Sequence, residues 1–532
     1  MTELTNLDWF WIITYFLLVY AIAFWASKGQ KDSRDYFLAG RGISWVIIGA
    51  SMFATNIGTE HLVGLSASGY DSGLAVGHFE WQASIIVLIL GWLFVPFYLN
   101  SKVVTMPEFL ERRYNPQCRI YLSVISIIGY IFTKISVILF AGTLILNQLL
   151  GWDFWTSALL MIILTGIYTI IGGLKAVLYT DLLQAFVLVG GALMLTWFGL
   201  SQIGGVSGLV EGLEDTDHFS MFKPMADPEF PWTGVLLGAP ILGIWYWCTD
   251  QFIVQRVLSA HGIKDAQKGT IFAGYLKILP VFLMVVPGMI GYVLVQNGAF
   301  TIENPNEIYP ALVANVLPAG MVGLVAAGLL AALMSSLSST FNSCSTLVTF
   351  DLYKRLRPQA NDQELIHVGR IAVVGMMVIG ILWVPFIDPE TSLFLYLQAV
   401  QAYIAPPIAA VFIFGLFFRK LNGNGAFASL ITGFILGGSR FILENFFTDG
   451  IAQEGILGSL VYMHFLHFAV FLFLVCIGVL FVVSYLGTAP DRAHIKGLVF
   501  EGEALTYKIS PVNIVLSVIL VGLIIGMMAF FF

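Results

Sequence analysis

Apolar residues occupy this chain in long unbroken runs separated by short polar connections. The runs cover 9–27, 44–70, 79–99, 119–149, 154–171, 175–200, 232–258, 268–297, 310–348, 365–388, 392–417, 423–444, 458–485 and 510–531. About twenty apolar residues coiled as helix match the hydrocarbon thickness of a bilayer. In lipid a backbone must satisfy its own hydrogen bonds, so runs of this length are spanning helices. The ten-residue alternation of a membrane barrel is not the pattern here. The spacing predicts an all-α polytopic membrane protein with about 14 transmembrane helices.

Polar residues interrupt some of these runs near their middles. The second reads "ASMFATNIGTEHLVG", with Asn56, Gly58, Thr59, Glu60 and His61 together, and the third opens "GHFEWQAS" with Glu80. The seventh contains "IWYWCTDQFIVQR", an aromatic pair followed by Thr249, Asp250 and Gln251. The eleventh contains "LFLYLQAVQAYIAPP", with Gln398 and Gln401 on a helix that Pro406 and Pro407 are expected to bend. A polar cluster with glycine lets a membrane helix unwind and frees carbonyls for a cation. Alternatively, each cluster is glue between helices; several clusters that all need partners favour one hydrated cavity.

The ninth run carries "LMSSLSSTFNSCS". Ser335, Ser338, Ser339 and Asn342 share a stripe at i, i+3, i+4 and i+7, and Ser336 stands about 100° away. Neutral oxygen donors suit a weakly held monovalent cation, whereas divalent ions recruit several carboxylates. The competing reading is a packing face whose hydroxyls bond back to carbonyls of their own helix.

Composition agrees with a membrane protein: of 532 residues 58% are hydrophobic and 11% charged, against about a quarter charged in soluble domains. A net charge of −7 implies no nucleic-acid partner. Cys118, Cys248, Cys344 and Cys476 lack metal-ligand spacing. The first run is too long for a signal-peptide core and follows acidic Glu3 and Asp8, so a retained helix is expected. With alternating connections, 21 of the 25 lysines and arginines, among them Arg113, Arg119, Arg256 and Lys508, fall on one side and only Lys223 and Arg440 on the other. The positive-inside rule makes the crowded side cytoplasmic and places both termini and the acidic 211–229 stretch outside. The remaining two cations, Lys134 and Lys277, lie within runs, where ionisable groups mark function or a structural ion pair.

The segments "YFLAGR", "SMFATNIG", "TMPEFLERRY", "GGLKAVLYTD", "WYWCTDQFIVQR" and "AALMSSLSSTFNS" resemble the sodium/solute symporter family, and specifically its sodium–glucose cotransporter branch. The similarity runs from about residue 36 to about 420. It implies a LeuT-like five-plus-five inverted repeat: an extra helix and loop in 1–43, a first repeat in 44–200, a loop in 201–231, a second repeat in 232–417 and three more helices in 418–532. It implies a first sodium site from the carbonyls of Ala54, Ile57 and Ala332 with the hydroxyls of Ser335 and Ser336. A second sodium site would use Asp181, Ser335, Ser338 and Ser339. A sugar site would use Asn56, His61, Glu80, Tyr246, Trp247, Lys277 and Gln398, with Tyr246 as inner gate and Phe79 and Phe394 closing the outer side.

The expected activity is sodium-coupled symport of a hexose by alternating access, with two Na+ per sugar, no organic cofactor, and function in the cell membrane as a monomer. Gly243 and Gln401 stand where animal glucose transporters carry hydroxyls, Leu395 replaces an acidic residue, and Ala83 a serine of a bacterial galactose transporter; these departures bear on which sugar. Two alternatives keep the ion: symport of a carboxylate or sialic acid, for which Lys277 is the candidate anion partner, and a sodium-gated sensor or leak that binds sugar. HExxH and GxSxG are absent, and "SSLSS" has no His or Lys in its helix to activate a serine, which argues against an enzyme.

Overall fold

The computed structural model describes residues 4–386, 393–447, 455–500 and 510–532. Glu3, Lys508 and residues 387, 388 and 392 of the expected runs lie outside them. Eleven helices among the described residues are long and apolar enough to cross a membrane. The chain begins with α1 (Asn6–Ser27), α2 (Trp45–Asn56), α3 (Thr59–Ser72), α4 (Gly77–Ile89), α5 (Pro116–Leu150) and α6 (Phe154–Gln202). It continues with α7 (Ala239–Gly243), α8 (Gln251–Leu258), α9 (Ile263–Leu276), α10 (Val286–Gln296), α11 (Ile308–Val316) and α12 (Val322–Leu347). Five further helices complete it: α13 (Asp362–Trp383), α14 (Leu393–Phe417), α15 (Gly423–Phe446), α16 (Phe465–Leu486) and α17 (Pro511–Phe530).

Three interruptions shape the centre of the molecule. Between α2 and α3, Ile57 (φ −91°, ψ 92°) and Gly58 (φ −91°, ψ −179°) leave the helical region. A methyl group at Gly58 would run into the Glu60 carboxylate, which folds back over the break. After α7 a π-helical turn, Ile244–Thr249, ends at extended Asp250, whose side chain accepts from the Phe252 N–H and starts α8. Such turns recur at functional sites because they shift side-chain register. The third interruption follows α9, where Lys277 and Ile278 form a turn ahead of Pro280, which lacks an N–H to continue the ladder.

Other boundaries move relative to the hydropathy reading. The runs at 154–171 and 175–200 join without a loop at a kink on Gly173 (φ 54°, ψ −156°), a conformation that only glycine adopts without strain. The expected 310–348 helix is two: α11 stops at Val316, and Pro318 and Gly320 (φ 87°) separate it from α12. Helix α14 runs unbroken through Pro406 and Pro407. Helix α12 packs against α6, α1 and α2 and is buried on every side, as expected of a central helix. Helices α3 and α10 meet backbone to backbone, because a Cβ at Gly288 would strike the Ser66 carbonyl and one at Gly69 the Val285 carbonyl.

Three cations counted among cytoplasmic connections have partners inside the fold. Arg113 is 2% exposed and donates to the carbonyls of Gly415 (2.8 Å), Phe418 (2.9 Å) and Leu421 (3.0 Å), satisfying the end of α14. Arg119 pairs with Asp351 (2.6 Å) and Glu111 (2.5 Å). Arg256 is 0% exposed. A charge count along the chain treats these as loop cations because they sit near the ends of apolar runs.

Candidate functional site

All seven residues assigned to a sugar site line one cavity of about 70 Å³, together with Phe79 and Phe394. The breaks in the helices place them. Asn56 is the last residue of α2, and His61 lies in the first turn of α3. Tyr246 and Trp247 occupy the π-helical turn, and Lys277 occupies the turn after α9. Phe79 and Glu80 come from α4, Phe394 and Gln398 from α14.

Four polar groups of the cavity, Lys277, Glu80, Asn56 and Tyr246, bond to one another. Lys277 Nζ donates to Asn56 Oδ1 (2.6 Å) and makes a close ion pair with the Glu80 carboxylate. Asn56 Nδ2 donates to the Tyr246 hydroxyl (3.2 Å). The Trp247 ring centroid is 5.6 Å from Lys277 Nζ. On another side Phe394 meets Phe79 and His61 edge-on, each at 5.6 Å between centroids, and Phe79 meets Phe230 at 6.4 Å. This set supplies donors, acceptors and flat apolar faces, the requirements of a polyhydroxylated ring.

Sequence reasoning missed Gln82, which also lines the cavity, as do Ala83, Gly243 and Gln401. A signal for it existed: Phe79, Gln82, Ala83 and Ile86 fall at i, i+3, i+4 and i+7 and form one face of α4.

A second polar cluster adjoins the first through the last turn of α2. Asp181, fully buried in α6, accepts from Ser51 Oγ (2.5 Å), Thr55 Oγ1 (3.2 Å) and Ser335 Oγ (2.6 Å). Ser339 Oγ contacts Thr55 Oγ1 (3.0 Å) and accepts a close hydrogen bond from Arg256, whose guanidinium lies 3.9 Å from Asp181. The structure thus brings Asp181 and Ser335 into contact and links Ser339 to them through Thr55 and Arg256. Ser338 does not reach Asp181 in this arrangement; its hydroxyl donates to the Ser335 carbonyl (3.0 Å) within its own helix. Ser51, Thr55 and Arg256 were not foreseen, although Ser51 and Thr55 stand at i and i+4.

The carbonyl positions of the other ion site lie close by in the chain. Ala54 and Ile57 flank the end of α2, where helix carbonyls lose their partners. Ala332 precedes Ser335 and Ser336 by about one turn in α12, and Ser336 Oγ donates to the Thr55 carbonyl (3.1 Å), joining the two backbones. The two readings of the hydroxyl-rich stretch therefore divide it. Thr340, Ser343 and Thr346 bond back to carbonyls four residues earlier at 2.8, 2.9 and 2.8 Å. Ser335, Ser336 and Ser339 reach across to other helices.

Lys134 also finds its partner. Its ammonium donates to Asp250 Oδ2 (3.0 Å) and stands over the rings of Phe252 (3.5 Å) and Tyr246 (4.6 Å). Tyr130 donates to the other carboxylate oxygen. A structural ion pair beneath Tyr246 accounts for this residue.

Comparison with known proteins places the chain. The model of the sodium:solute symporter family matches residues 36–433. The sodium/glucose cotransporter 2 of Rattus norvegicus is 41% identical, with 92% of this chain and 80% of that protein covered. A sodium/mannose cotransporter of Bos taurus is 42% identical, with 93% and 89% covered. Among solved structures, a substrate-bound, outward-open Na+-coupled sialic acid symporter superposes with a TM-score of 0.80 at 22% identity, over 92% of this chain and all of that one. Mhp1, a nucleobase-cation-symport-1 family transporter, superposes with a TM-score of 0.53 at 13% identity, over 87% and 97%. These neighbours give the architecture as the LeuT-like transporter fold. The chain belongs to the sodium:solute symporter family.

Proposed function

We propose that this protein is a secondary active transporter that moves a hexose-type sugar together with Na+ by alternating access. One observation carries the reading: consecutive residues serve the two clusters. Thr55 bonds to Asp181 in the hydroxyl cluster, and Asn56 bonds to Lys277 and Tyr246 in the cavity. An ion that tightens the end of α2 therefore acts directly on the sugar-binding face, a physical route for coupling. The names of relatives, sodium/glucose and sodium/mannose cotransporters, support a sugar as the solute. The cavity supports it too, because buried donors and acceptors reject a ring lacking the matching hydroxyl.

The proposal uses two Na+ per sugar: one on Ala54, Ile57, Ala332, Ser335 and Ser336, the other on Asp181 with Ser335, Ser338 and Ser339, the last set requiring Ser338 to turn from its own carbonyl. Tyr246 closes the cytoplasmic side, and Phe79 and Phe394 the outer side. The repeats span 44–200 and 232–417, joined by 201–231 and flanked by 1–43 and 418–532, with both termini outside and a monomer as the working unit. At about −100 mV and a tenfold sodium gradient, each ion supplies about 2.3 + 1.4 kcal/mol. Two ions sustain about a 10⁵-fold sugar gradient, one ion a few hundredfold. Arg256 favours a second reading of the stoichiometry: its guanidinium already balances Asp181, so that a single Na+ at the first site drives transport and Asp181 passes it inward.

The test is uptake of labelled glucose and galactose into proteoliposomes under an inward sodium gradient and under an equal potassium gradient. Accumulation above equilibrium with sodium alone is the expected result. Entry indifferent to sodium would reduce the hydroxyl cluster to packing, and entry of neither hexose would point to acids as the solute.

A further inference from the structure

The wall of the cavity formed by α4 and α7 is mostly carbon: Ala83, Ile86, Leu242 and Gly243. Besides Glu80, which pairs with Lys277, Gln82 is the polar side chain of this wall. The amide Nε2 donates to the Val235 carbonyl at 3.2 Å, on the short helix Trp232–Leu237. That bond fixes which end of the amide is oxygen, since the reversed amide would set two carbonyl oxygens against each other. Oε1 is consequently buried, and no donor among the described residues reaches it. Elsewhere in the cavity Asn56, Glu80 and Lys277 answer one another's donors and acceptors. A buried acceptor without a donor is costly, and it persists in a site where a ligand supplies the donor.

We propose that Gln82 is a substrate-contact residue whose Oε1 accepts the proton of one sugar hydroxyl. It selects for a ring carrying a donor on the side that faces Ala83 and Gly243, whose side chains offer no polar partner. The Nε2 bond to Val235 orients the amide before the sugar arrives, so a hydroxyl that reaches Oε1 meets an acceptor already set in direction. The inference rests on the cavity being a sugar site and names one of its selecting groups.

The experiment compares wild type with Gln82→Leu and Gln82→Met in proteoliposomes. Inhibition of labelled hexose uptake is measured with the deoxy and fluorodeoxy analogue at each ring position. Fluorine accepts but does not donate, so an acceptor on the protein rejects both analogues. The expected result is one position at which wild type disfavours both by about tenfold or more, while either variant disfavours them less than about twofold and keeps wild-type ratios at the other positions. Ratios unchanged in the variants overturn the assignment while leaving sugar symport standing. Failure of both variants to fold would make Gln82 structural and overturn it too. A wild type that takes up no hexose removes the sugar reading itself, and this inference with it.

Discussion

Replacing Lys134 by methionine removes one member of a buried ion pair, and the structure permits an estimate of the cost. The Lys134 ammonium and the Asp250 carboxylate are 3.0 Å apart, with their side chains 10% and 1% exposed. At an effective dielectric of about 20 their attraction is about 5 kcal/mol. Breaking a buried pair by deleting one partner costs about 3–5 kcal/mol, because the remaining charge is left in a poor solvent. Two features move Lys134→Met to the lower end, about 3 kcal/mol. Asp250 keeps Tyr130 and the Phe252 N–H as donors, and Lys134 borders a small side cavity with Ser126, Thr133 and Gln401 that can admit water. Asp250→Asn leaves the ammonium facing aromatic rings, worth about 2 kcal/mol and less than the lost ion pair, and should be at least as damaging. The double variant Lys134→Met/Asp250→Asn carries no unpaired charge and should lie within about 1 kcal/mol of wild type. Unfolding in mixed micelles with increasing dodecyl sulfate, followed by tryptophan fluorescence, closes the cycle. A coupling energy of about 2 kcal/mol or more is expected. A Lys134→Met protein as stable as wild type, or a double variant no better than the worse single one, would refute the reasoning.

Asp181→Asn should lower the sodium Hill coefficient of sugar uptake from near two to near one; an unchanged value near two would rule out Asp181 as the second ion site, and a wild-type value near one would favour the single-ion reading. Gly173→Ala forces a Cβ into a glycine-only conformation beside the Tyr36 carbonyl, at about 1–3 kcal/mol from backbone strain alone. It should reduce the yield of monodisperse protein, and normal chromatographic behaviour would contradict the kink. Gly288→Val pushes α10 away from the Ser66 carbonyl of α3 and should cost at least the 1–3 kcal/mol of an overpacked core, read as a fall in the thermal midpoint in detergent; Gly298→Ala, where a Cβ meets open space but φ is +74°, should lose only about 1 kcal/mol.

The hydropathy of the chain made the class and most helices legible, because bilayer thickness imposes one length on every span. It failed at 310–348, where Pro318 and Gly320 divide a continuous apolar stretch that composition alone reads as one helix. The lining of the candidate cavity was legible because a family pattern fixes residue types at the breaks, and the breaks bring distant residues together. Gln82, Ser51, Thr55 and Arg256 were not, since whether a side chain at the edge of a run faces water or another helix depends on tertiary packing. The acidic 211–229 connection shows the same limit. It reads as a solvated loop, yet the His218 carbonyl accepts from the Leu74 N–H (2.7 Å), the Met221 N–H donates to the Phe531 carbonyl (3.0 Å), and Lys223 is buried against Asp217. A run of carboxylates conceals the few residues that anchor the loop to the turn after α3 and to Phe531.

The mutual satisfaction of Lys277, Glu80 and Asn56 has a consequence for turnover. Under the proposed function, a sugar entering this cavity finds Lys277, Glu80 and Asn56 already bonded, and at these three groups each new bond replaces one already made. The net enthalpy of such an exchange is small, and affinity then rests on the few groups that gain a partner outright and on the aromatic faces. Modest affinity keeps dissociation fast. Under the proposed function, the residues that recognise the solute also compete with it, and the lysine returning to its carboxylate helps to expel the cargo.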